Sequence, residues 1–185
     1  MKKQFKVSLG SAVLSVVSLA LMSQAALAAD TGTITFNGKV TDETCEVTTG
    51  TNGDFTVDLA TAKVAELAQA GDTAVPLNFR IAVDNCSPSV KNVRAQFLYD
   101  ASLVDLSSGL LKNQLSGATA ATQVGLQLFN TDDSSVIKPG DAGASKSFAL
   151  INNAAEMTYG VQYYATGEST AGLVKSQVKY QLSYN

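Results

Sequence analysis

Gly172-Leu-Val174-Lys-Ser-Gln-Val178-Lys-Tyr180-Gln-Leu182-Ser-Tyr184-Asn185 closes the chain. Apolar residues occupy every second position from Val174 to Tyr184, with Ser176 the exception. A period of two sets these side chains on one face of an extended strand, and Lys175, Gln177, Lys179, Gln181 and Ser183 on the other. The segment therefore reads as a half-buried antiparallel strand, not as a helix.

The same period recurs outward from this end. Met157, Tyr159, Val161 and Tyr163 alternate, as do Phe148 and Leu150, and Val124, Leu126 and Leu128. Nearer the N-terminus come Val93, Ala95, Phe97 and Tyr99, then Leu77, Phe79, Ile81 and Val83, then Phe55, Val57 and Leu59, and first Ile34, Phe36 and Val40. Each run is short and bounded by Gly, Asn, Asp or Ser, which predicts an all-β sandwich. One stretch departs from it. Val64, Leu67 and Ala68 fit a 3.6 period, which predicts a short connecting helix over Thr61–Ala70, stopped by Gly71.

Composition excludes much chemistry. The 185 residues hold no His, no Trp and two Cys. Without His there is no Ser-His-Asp or Cys-His nucleophile system, and two cysteines cannot supply an all-thiolate zinc site. The 13 Lys+Arg against 16 Asp+Glu, with a pI near 4.8, do not make a nucleic-acid surface. No cofactor or metal is expected.

Residues 1–28 read as a secretory signal. Lys2, Lys3 and Lys6 precede an apolar, uncharged Val7–Met22, and Ala26-Leu27-Ala28 offers a small-x-small cleavage site. No later segment approaches membrane-spanning length, so membrane insertion is not expected. Export makes a disulfide between Cys45 and Cys86 the natural reading, with intermolecular pairing or a free thiol pair as the alternatives.

Three motifs carry no catalytic reading. Asp30-Thr31-Gly32 matches an aspartic-protease triplet, but that chemistry needs two carboxylates sharing a proton and no second triplet occurs. Gly140-Asp-Ala-Gly-Ala-Ser-Lys146-Ser147 falls one residue short of a phosphate-binding loop, and a β-like run follows where a helix is required. Asp132-Asp133-Ser134-Ser135 lacks the spacing and bidentate Glu of a calcium loop and reads as a hairpin turn. The chain is not read as an enzyme.

Taken together, several stretches resemble the type 1-like pilins of the bacterial chaperone–usher pathway. The closing run is similar to the family's C-terminal motif, with its alternation, its penultimate Tyr184 and its glycine, Gly172, fourteenth from the end. Gly32-Thr-Ile34-Thr-Phe36-Asn-Gly38-Lys-Val40 followed by Cys45 resembles the N-terminal extension and first strand. Phe79–Cys86 resembles the strand that ends in the second cysteine, and Tyr163–Gly167 the penultimate-strand signature.

The resemblance implies an incomplete immunoglobulin-like sandwich lacking its last strand, with a free N-terminal donor strand. Residues 29–37 would be the donor extension and 38–185 the pilin domain, with Gly32, Ile34 and Phe36 facing a neighbour's groove. Gly172, Val174, Val178, Tyr180, Leu182 and Tyr184 would form the strand lining this subunit's own groove, first for a periplasmic chaperone and then for the next subunit at an outer-membrane usher. The function implied is a structural subunit of an adhesive surface fimbria, a homopolymer built by donor-strand exchange. A minor adaptor pilin is the alternative, and after it a free exported binding sandwich.

Overall fold

The computed structural model describes residues 44–184 and position 35. The expected signal peptide, the donor positions Gly32, Ile34 and Phe36, and Asn185 lie outside the described residues. Among those described there are nine strands and no α-helix: β1 Glu46–Val47, β2 Thr73–Asp84, β3 Asn92–Leu98, β4 Leu111–Lys112, β5 Val124–Asn130, β6 Val136–Ile137, β7 Phe148–Ala149, β8 Ala155–Ala165 and β9 Lys179–Tyr184. One sheet runs β1-β2-β8-β5-β4 with β6 also on β5; the other runs β7-β3-β9. Every strand pair is antiparallel.

Alternation decides which face is buried. Ile81, Val83, Met157, Tyr159, Val161, Leu126 and Leu128 from the first sheet meet Val93, Ala95 and Phe97 from the second in one apolar cluster. Tyr159 is its hub. It has no solvent exposure and stands edge-to-face to Phe97 and Phe148, with ring centroids 5.3 and 5.6 Å away. Its hydroxyl accepts from the Ala95 amide at 3.0 Å and donates to the Lys146 carbonyl at 3.1 Å. Ser145 Oγ donates to the Ala95 carbonyl at 2.6 Å. β7 pairs only with Asn92 and Val93, so two side chains satisfy the backbone of β3 at the next inward position.

β2 begins with an irregularity. Its register against β8 shifts between Ala74 and Leu77, where Val75 takes φ +52° immediately before Pro76. Proline donates nothing to a ladder and is tolerated at such a bulge.

The expected helix over Thr61–Ala70 is shorter than its periodicity implies. A single 3₁₀ turn, Val64–Leu67, forms instead. Of its residues Leu67 alone is buried, in a satellite cluster with Ala74 and Ala165, so a longer helix would gain no further apolar face.

Two ends of the sandwich can be told apart. At one, the end of β2 and the starts of β3 and β8 gather round the Cys45–Cys86 disulfide, with Tyr184 opposite Val93. At the other, Thr73 pairs Tyr164 and Val124 pairs Ala165, beneath the 3₁₀ turn.

Candidate functional site

The site is built from the residues that leave the core incomplete. β9 pairs β3 along one edge, from Leu98–Lys179 to Val93–Tyr184, and its other edge meets no strand among the described residues. Its inward positions Tyr180, Leu182 and Tyr184, with Val174 and Val178 before it, pack on the core and are only half-buried. Phe55, Val57 and Leu59 show the same alternation: half-buried inward, exposed outward, and in no strand pair among the described residues. Leu77 and Phe79, on the same face of β2 as the buried Ile81 and Val83, are half-buried too. The core is thus closed toward the disulfide end and wet along a row of apolar side chains.

Two tyrosines join the rows that flank this stretch. Tyr180 Oη donates to the Gly53 carbonyl at 2.8 Å, and Tyr184 Oη accepts from the Cys45 amide at 3.2 Å. Burial, and after it the negative charge of Asp54, raises the Tyr180 phenol above its usual range, so the hydroxyl keeps its proton for that bond. The penultimate tyrosine therefore fastens the chain's end to the start of the disulfide segment.

Gly172 has a steric reason. A Cβ there would stand 2.5 Å from the carbonyl carbon of Ala120 and 2.8 Å from its oxygen, because the next residue, Leu173, makes a parallel bridge to Ala120. A side chain would push the closing run off its track. Beyond it, Asn113 holds Leu173–Lys175 in place. Its amide nitrogen donates to the carbonyls of Ala121 and Leu173, and its oxygen accepts from the amides of Leu115 and Lys175. Neither Asn113 nor the Phe55–Leu59 row stood among the expected site residues, since only the folded register brings them to the closing run.

The closing run thus divides. Val174 to Val178 runs extended beside residues 112–114, and the β-ladder proper begins at Lys179. Lys179 Nζ reaches Asp100 at 3.0 Å. Hydrogen bonds from Ser102, and then Lys179, lower the Asp100 carboxyl to about 2.

Of the three motifs without a catalytic reading, Asp30-Thr31-Gly32 lies outside the described residues and the other two are structural. Asp133 accepts from the Ser135 amide in the β5–β6 turn and pairs Lys146 at 2.9 Å. Ser145 is buried with its hydroxyl spent on Ala95, and Gly140, at φ +97°, lies against Tyr99. Among the described residues no group of three His, Cys, Asp or Glu is placed to hold a metal, and no helix is long and apolar enough to cross a membrane.

A family model described as fimbrial protein matches residues 34–185. The chain is 42% identical over 173 residues to the major fimbrial subunit SMF-1 of Stenotrophomonas maltophilia, covering 90% of this chain and 99% of that one. It is 41% identical to the F17 fimbrial protein of Escherichia coli, covering 90% and 94%. These relatives are named as fimbrial subunits, not as enzymes. Among solved structures, a chaperone–usher pilus subunit superposes with a TM-score of 0.58 at 19% identity, covering 86% of this chain and 98% of that one. The P pilus rod subunit PapA superposes with a TM-score of 0.56 at 16% identity, covering 76% and 99%. At such identities the likeness is one of fold, the all-β immunoglobulin-like sandwich without its last strand.

Proposed function

The chain belongs to the fimbrial protein family, and from that premise we propose that it is the repeating structural subunit of an adhesive surface fimbria, assembled by donor-strand exchange. The wet apolar row between Phe55–Leu59 and Val174–Tyr184 carries this reading. Unpaired strand edges and half-covered core side chains cost free energy that one added strand removes, by backbone pairing and by filling alternate pockets. Gly172 and Asn113 hold the accepting run in place, while Val174, Val178, Tyr180, Leu182 and Tyr184 supply its apolar face. Residues 29–37 supply the incoming strand, with Gly32, Ile34 and Phe36 turned into the neighbour.

A periplasmic chaperone fills the row first, after removal of residues 1–28, and the next subunit replaces it at an outer-membrane usher. The contact is head-to-tail and does not close on itself, so it propagates into a filament. Similarity to SMF-1, a major fimbrial subunit, across nearly that protein's whole length favours a major over an adaptor role. Negative-stain microscopy of cells expressing the chain with its chaperone and usher tests the proposal. Filaments that vanish when the chain alone is omitted support it; a secreted monomer with no filaments refutes it.

A further inference from the structure

The β7–β8 connection ends in a two-residue hairpin. Ile151 and Ala154 exchange both backbone hydrogen bonds, at 2.9 and 3.1 Å, round Asn152 and Asn153 at φ +53° and +61°. Such a turn is stiff, and the Asn153 carbonyl also accepts from the Cys86 amide at 3.0 Å, so the hairpin is fastened to the disulfide. Ile151 at its base is 74% exposed. It borders a shallow hollow of about 580 Å³ whose lining includes Ala82, Val83, Phe148, Ala149 and Ala155. An apolar knob on a rigid mount, beside a hollow whose apolar lining is interrupted by Thr48, Asp84 and Glu156, has the form of a contact surface.

A second exposed apolar group stands at the opposite end. Val64 is 43% exposed on the 3₁₀ turn, with Ala65, Ala68 and Ala70 exposed beside it. We infer that the Ile151 hairpin of one subunit docks against the Val64 turn of a second copy of this chain.

This rests on the donor-strand reading, and chain length supplies the argument. A strand added antiparallel to β9, as the described strand ladders all are, leaves the acceptor at the Ala62–Val64 end, because β9 runs toward the disulfide end. In the donor, Cys45 lies in the disulfide that also carries its Ile151 hairpin. From Phe36 to Cys45 the chain spans at most about 30 Å, at roughly 3.3 Å per residue. A tether of that length keeps the disulfide end of each donor within reach of the 3₁₀-turn end of its acceptor, and each of these ends presents an uncovered apolar group. Contact there gives the filament a body-to-body junction besides the inserted strand.

The test is a cross-link. The native cysteines are paired, so Val64→Cys with Ile151→Cys introduces two free thiols. Filaments of this double variant, assembled with chaperone and usher and then oxidised, should run as a ladder after heating without reductant and collapse to monomer on reduction, while each single variant stays monomeric. A monomer band from oxidised double-variant filaments overturns the inference, as does a ladder from Ile151→Cys alone. Ile151→Asp gives a second reading: it should lower the dissociation temperature of the filaments, and Val64→Lys added to it should restore that temperature; no restoration counts against the contact. Phe36→Asp separates this inference from its premise, since lost filaments there, with no cross-link in the double variant, overturn the docking alone.

Discussion

The Tyr180 hydroxyl lies 2.8 Å from the Gly53 carbonyl, a hydrogen bond between residues 127 positions apart. It joins the last strand to the turn from which the Phe55–Leu59 row departs, at the edge of the wet stretch of core. The spacing across that stretch is thus held by side-chain hydroxyls where a strand ladder is missing. Tyr180→Phe should therefore lower the stability of the chaperone-bound subunit by about 0.5–1.5 kcal/mol, the net worth of one such bond. Denaturant unfolding of the complex checks this, and an unchanged midpoint would show that the hydroxyl carries no tension between the rows.

Gly172→Leu should be far more disruptive, although the position is solvent-exposed. Its Cβ would overlap the Ala120–Ala121 backbone, which cannot rotate away as a side chain can. The Asn113 bonds to Leu173 and Lys175 would be lost with it. The expected outcome is little recoverable chaperone complex, with Gly172→Ala intermediate. Equal yields from wild type and Gly172→Leu would contradict the steric account.

Acid should loosen β9 first at its Lys179 end. The Asp100 carboxyl is held near 2, below an ordinary 3.8, by Ser102 and then Lys179. A depressed folded value favours the folded state above the ordinary carboxylate range, and that contribution drains away as pH falls from about 4 through about 2. Asp105 and Asp133 are lowered in the same sense, by hydrogen bonds led by those from Ser107 and Ser135. Unfolding midpoints measured between pH 5 and 2 should fall, and Asp100→Asn should flatten part of the slope. Midpoints that stay level over that range would sink the claim.

Much of this was legible in the sequence because burial here follows a period of two. Ile81 and Val83, Val93, Ala95 and Phe97, and Met157, Tyr159 and Val161 all point inward as their alternation implies, and the two cysteines are joined. Other features depend on tertiary position. Asn113 belongs to no periodic pattern and matters because folding sets it between segments 60 residues apart. Leu67 satisfied a helical period, but a helix needs a face to bury, and the satellite cluster accepts one residue of that turn. Phe55, Val57 and Leu59 alternate as a paired strand would; that no described strand lies beside them is a fact about their neighbours, which local pattern does not encode.

The measurement that bears most directly on the central claim is filament yield across the four residues 33–36, with chaperone complex confirmed for each variant. Ile34 and Phe36 should each contribute burial worth about 1.5–3 kcal/mol in the acceptor. Ile34→Asp and Phe36→Asp should bind chaperone normally and fail to chain onto another subunit, while Thr33→Asp and Thr35→Asp, which the proposed register turns away from the groove, should still form filaments. Equal yields at all four positions would contradict the account, because a segment indifferent to which face carries the charge is not an inserted strand.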